Sequence, residues 1–129
     1  MKWYRKLYLG EGMKKSRKEL IKKLETNAGL PGVYVITLAS NGRDLFDIFS
    51  ANQLLQPVLH GLCPPIIGLS SGYEEAMELS KDIALAAYRT NGNFDIPAYL
   101  QGQMENGEEW IYEYPVQKLK KRKKFLFRK

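Results

Sequence analysis

The sequence predicts an α+β domain: a mixed sheet of four to six strands with two main helices on one face, in the order β-α-β-β-β-α and then a further strand or hairpin. Three observations predict it. Residues 3–9 alternate and residues 33–40 run continuously in aromatic and aliphatic side chains, as strands do. An Asn41-Gly42 pair divides the second of these runs from another β-rich stretch, 43–49. Segments 16–26 and 73–89 carry apolar residues at helical spacing.

The elements follow in order. In the first strand Trp3, Leu7 and Leu9 share a face with Arg5, while Tyr4, Lys6 and Tyr8 share the other. Gly10-Glu11-Gly12 breaks it. Ser16 with Glu19 is a capping-box pattern, so a helix runs to about Thr26, or from as early as Met13, with Met13, Leu20, Ile21 and Leu24 as its apolar stripe. Gly29 and Pro31 end it. Val33 to Ser40 is apolar on both faces, the mark of a central strand covered on both sides. Asn41-Gly42 predicts a type I′ turn into Arg43–Phe49, with Leu45 and Phe49 on one face and Phe46 and Ile48 on the other.

Ser50 and Gln53 predict one capped helical turn that Pro57 stops, and 57–65 read as a loop. Ile66 to Ser70 is a short buried strand. Ser71 with Glu74 is a second capping box, opening a helix over Tyr73–Arg89 that Asn91-Gly92 stops. After it two readings stand. In one, Asp95 caps a short helix with Pro97 in its first turn. In the other, 98–105 pairs with Glu109–Tyr114 around Asn106-Gly107.

The 129 residues suit one domain, residues 1–115, followed by a basic tail, 116–129. A hydrophobic content of 44% supports a packed core without metal or disulfide staples. Cys63 is the single cysteine, which fits a reducing, cytoplasmic setting. Lys2, Arg5 and Lys6 have no apolar run behind them, so no signal peptide is expected, and no stretch is long and apolar enough for a membrane span. The net charge of +6 is unevenly placed. Residues 118–129 hold eight basic and no acidic residues, residues 1–23 hold nine basic against Glu11 and Glu19, and 24–117 hold three basic against twelve acidic.

The stretches LYLGEGMKKSRKELIKKL, GVYVITLASN and PIIGLSSGYEEAMEL, within about three quarters of the chain, resemble a family of small bacterial proteins. The resemblance implies no activity, ligand or catalytic residue, and it stops before the tail at Val116.

Two strand-to-helix junctions could take a phosphate: Gly10 and Gly12 with Lys14 and Lys15, and Ser70-Ser71-Gly72. Neither is a Walker or dinucleotide motif, Glu11 opposes an anion at the first, and a capping box already accounts for the second. His60 and Cys63 pair a base with a thiol, but no orienting group follows and the spacing fits no zinc set, so no catalytic or metal residue is assigned and no cofactor is expected. Glu74, Glu75 and Glu78 suit the positive end of their helix.

The composition that departs furthest from an ordinary globular chain is basic. Lys18 and Lys22 on the first helix and Lys118, Lys120, Lys121, Arg122, Lys123 and Lys124 in the tail form a candidate surface for nucleic acid or an anionic membrane. Three function classes follow: a non-enzymatic interaction or regulatory module that self-associates through a sheet edge, a nucleic-acid-binding protein, and a phosphate-ligand binder or small enzyme at the glycine turns.

Overall fold

The computed structural model describes residues 1–114; the tail, with its candidate residues Lys118, Lys120, Lys121, Arg122, Lys123 and Lys124, lies outside the described residues. A five-stranded mixed sheet has the order β3-β2-β4-β1-β5. Its strands are β1 (Lys2–Leu9), β2 (Val33–Leu38), β3 (Phe46–Ser50), β4 (Ile66–Ser71) and β5 (Ile111–Glu113). The helices are α1 (Arg17–Glu25), α2 (Pro57–Leu62), α3 (Tyr73–Asn91) and α4 (Ile96–Gly102), with 3-10 turns at Glu11–Ser16 and Ala51–Leu55. The α+β class holds. β1 and β4 are parallel neighbours, and β2–β3, β2–β4 and β1–β5 are antiparallel.

The helices cover both faces of the sheet rather than one. Trp3 and Tyr4 are adjacent on β1, so they point to opposite faces, yet they are 0% and 1% exposed. Trp3, Leu7, Val35, Ile66 and Leu69 pack with Leu20, Ile21 and Leu24 of α1. Tyr4 and Ile67 pack with Ile83 and Ala87 of α3 and with Ile96, Tyr99 and Leu100 of α4. Strands apolar on both sides need cover on both sides, and one layer of helices cannot supply it.

Several local expectations change. Ser16 precedes α1 without a side-chain cap, because the 3-10 turn from Glu11 leads directly into the helix and buries Met13. The β2–β3 connection spans 39–45, and Asn41 does not take positive φ. Its side-chain oxygen instead accepts from Arg43 N and Asp44 N, each at 2.9 Å, an Asx-type turn in place of type I′. The turn capped by Ser50 forms at Ala51–Leu55 and ends before Pro57, but 57–65 is not all loop: Pro57 begins α2 as its first residue, since its missing N–H is free of cost there. Beyond Gly92, which closes α3 at φ +74°, the short-helix reading is the one realised: Asp95 accepts from Ala98 N at 3.1 Å. β5 pairs with β1, not with 98–105.

Candidate basic and aromatic groove

Between α1 and the β1–β5 edge lies a groove of about 670 Å³ lined by Arg5, Lys6, Arg17, Lys18, Tyr112 and Tyr114, with Ile21 and Glu108. β1 brings Arg5 to the α1 side of the sheet by the same alternation that buries Trp3 and Leu7. The antiparallel register, Trp3 opposite Tyr112, sets the Arg5 guanidinium over the Tyr112 ring, 5.2 Å from its centroid. Arg5 Nε donates to Glu109 O at 2.6 Å, and Arg17 Nη2 donates to the carbonyl of Arg5, tying α1 to the strand. Lys6 Nζ donates to Gln103 O at 2.7 Å and reaches the exposed Glu105 only at 4.0 Å. Four cations face one lining carboxylate, so the groove is electropositive although 24–117 is acidic as a whole. Tyr114, the last described residue, stands in the groove, and the chain continues from it toward the basic run 118–129.

Of the predicted basic residues, Lys18 lies in this groove; Lys22 is exposed on α1 but does not line it. Arg17 belongs with Lys18 to the basic first helix that the sequence offers to nucleic acid, whereas Arg5, Lys6, Tyr112 and Tyr114 carry no site reading in the sequence. The signal available was the interleaving of basic and aromatic residues in 3–8 and the alternation of Trp110, Tyr112 and Tyr114, which acquires meaning only once β5 lies against β1.

The structure does bring the two glycine turns together. β1 and β4 run parallel side by side, so both strands deliver their following turns to one end of the sheet, where Gly10 N donates to Leu69 O at 2.9 Å. The slot between them holds a protein carboxylate. Glu75 Oε1 accepts from Ser71 N at 2.9 Å and lies where a side chain on Gly10 would be. An external anion there would meet this carboxylate. Ser70 Oγ donates to Gly72 O at 2.9 Å, Lys14 pairs with Glu11 at 3.4 Å, and Lys15 and Gly12 are exposed. Thus Glu75, not Glu74, reaches back over the start of α3.

His60 and Cys63 lie at and just after the end of α2. His60 Nε2 is 3.2 Å from Leu24 O, a contact that engages its ring with α1. Burial pushes the Cys63 thiol up to about 11, opposed by the N-terminal ammonium and reinforced by Glu25, so at neutral pH it is a protonated, poor nucleophile. Among the described residues no three His, Cys, Asp or Glu side chains gather as a metal site, and no helix is long and apolar enough to cross a membrane.

Comparison with family models, curated proteins and solved structures finds no match to this chain.

Proposed function

We propose that this protein binds single-stranded nucleic acid along the groove between α1 and β5. The observation that carries the reading is the convergence of Arg5, Lys6, Arg17 and Lys18 with Tyr112 and Tyr114 in one open channel. Sequence-tolerant single-strand sites combine a positive track for the backbone with aromatic faces for the bases. In the sequence eight basic residues follow at 118–129 and add positive charge that phosphates can neutralise. The compartment proposed with it is the cytoplasm.

Fluorescence anisotropy with labelled single-stranded RNA and DNA, titrated at several salt concentrations, tests the reading. Log affinity should fall with log salt by about 0.7 per phosphate neutralised. Lys18→Ala should flatten that slope by about one such increment. Tyr114→Leu should weaken binding about tenfold while leaving the slope intact, the signature of a lost stacking contact. Absence of binding at low salt defeats the reading. If such a protein instead co-sediments with anionic vesicles, the charged surface belongs to a lipid headgroup.

A further inference from the structure

Three Asn-Gly pairs punctuate the chain: Asn41-Gly42, Asn91-Gly92 and Asn106-Gly107. Asparagine is a chemically labile side chain. A glycine after it removes the steric barrier to attack by the next backbone nitrogen on the side-chain amide carbon. All three pairs are exposed, so exposure does not tell them apart; hydrogen bonding does.

At Asn41 the side-chain oxygen accepts from Arg43 N and Asp44 N at 2.9 Å each, and Nδ2 donates to Asp44 Oδ2 at 2.7 Å. That amide is clamped at both ends. Asn91 is the last residue of α3, and the group that would attack it, Gly92 N, donates to Tyr88 O at 2.8 Å. Asn106 and Gly107 differ. With φ +53° and +75° they are the central residues of a type I′ turn, closed by Glu108 N donating to Glu105 O at 3.0 Å. That bond spans the pair without engaging it: among the described residues neither the Asn106 amide nor Gly107 N has a hydrogen-bond partner. Nothing lies within 4 Å of where a Cβ on Gly107 would stand, so the turn opens locally without displacing a neighbour. Asn27 shares the left-handed conformation, at φ +56°, but the next residue is Ala28, whose N–H is bonded to Lys23 O at 3.0 Å.

We propose that Asn106-Gly107 is an intramolecular modification site, at which the chain converts its own asparagine to aspartyl and isoaspartyl forms. Gly107 N gives its proton to solvent base and attacks Cγ of Asn106. The N–Cγ bond forms, the Cγ–Nδ2 bond breaks, and ammonia leaves behind a five-membered succinimide. Water then opens the ring. Attack at Cγ yields aspartate, and attack at the backbone carbonyl carbon yields isoaspartate, whose main chain runs through Cβ. Either product places a carboxylate beside Glu105, Glu108 and Glu109 and lowers the net charge of +6 by one. The isoaspartyl form also lengthens the main chain just before the segment that seats β5. There Arg5 N donates to Trp110 O at 2.7 Å and Arg5 Nε to Glu109 O at 2.6 Å.

Peptide mapping by mass spectrometry tests the site on the full chain, held in neutral and in mildly alkaline buffer at physiological temperature. Acid in place of amide should accumulate at residue 106 at least about tenfold faster than at 41 or 91, where hydrogen bonds of up to about that worth must open first. The rate should rise with pH, because the nucleophile is a deprotonated amide nitrogen. In urea the three pairs should react at comparable rates, since only the fold separates them. Enzymatic isoaspartyl carboxyl methylation with labelled S-adenosylmethionine should mark the aged chain. That mark should largely vanish in Asn106→Gln and persist in Asn41→Gln. Equal native rates at the three pairs overturn the inference, as does a methylation signal that survives Asn106→Gln. Residue 106 remaining an amide in the native chain while 41 or 91 converts overturns it too. None of these readouts depends on whether the groove binds nucleic acid.

Discussion

The carboxylate of Glu75 stands over Gly10, in the space that any side chain at position 10 would enter. Glu75 also accepts the Ser71 N–H, so the turn after β1 and the turn after β4 are coupled through one side chain.

The coupling can be measured. Gly10 has φ −60° and ψ 160°, a conformation alanine adopts freely, so Gly10→Ala should act only by displacing Glu75. It should cost about 1 kcal/mol, the value of the released hydrogen bond. In a Glu75→Ala background the same substitution should be close to neutral. A double-mutant cycle by urea denaturation gives the comparison, and equal costs in both backgrounds would show that the contact carries no energy.

Glu25 is the second position where a single side chain holds separate segments. Its carboxylate accepts from the Met1 ammonium at 3.0 and 3.2 Å and from the Trp3 indole Nε1 at 3.0 Å, and its side chain is only 5% exposed. Glu25→Ala leaves two buried donors without an acceptor. It should cost about 3 kcal/mol, read as a lower urea midpoint by tryptophan fluorescence. Glu25→Gln should recover part of that loss, because its amide oxygen still accepts from the indole.

Stability should fall at alkaline pH. Burial raises Cys63 from about 9 to about 11 and Tyr4 from about 10 to about 12, with the neighbouring Tyr99 adding to the Tyr4 shift. Below pH 9 both groups are protonated whether the chain is folded or not, and they contribute no pH dependence. As pH rises from 9 toward 12 the unfolded chain ionises first, so the folded state loses ground throughout that window. Melting temperatures across pH 8–12 should show this decline, and Cys63→Ala should remove its lower part. Iodoacetamide should label native Cys63 slowly at pH 7 and the urea-unfolded chain much faster.

The sequence made the strands and main helices legible because each is built from a short-range pattern. The alternation of Trp3 and Leu7 against Tyr4 and Tyr8 reports the two faces of β1, and Leu20, Ile21 and Leu24 report the buried side of α1. The doubly apolar run 33–40 already implied cover on both sides of the sheet, which a one-faced helix layer contradicts. What stayed hidden depends on partners far away in the chain. Nothing local says that β1 sits between β4 and β5, so the meeting of Arg5 with Arg17 and Tyr112, and of Gly10 with Glu75, could not be read. α2 was hidden for another reason. PVLHGL opens with a helix-tolerated proline but has neither an amphipathic pattern nor a buried stripe to announce it.

The placement of β1 has a kinetic consequence. Trp3 pairs with Ile66 on one side and with Tyr112 on the other, so β1 is synthesised with both of its neighbours still to come. Until β4 emerges, Trp3, Tyr4 and Leu7 have no sheet to enter, and closure of the β5 edge waits for nearly the last described residues. Such distant pairings must overcome loop-closure entropy before any contact rewards it. The domain should therefore fold late and as one unit, with the nascent N-terminal strand dependent on protection from aggregation in the interval.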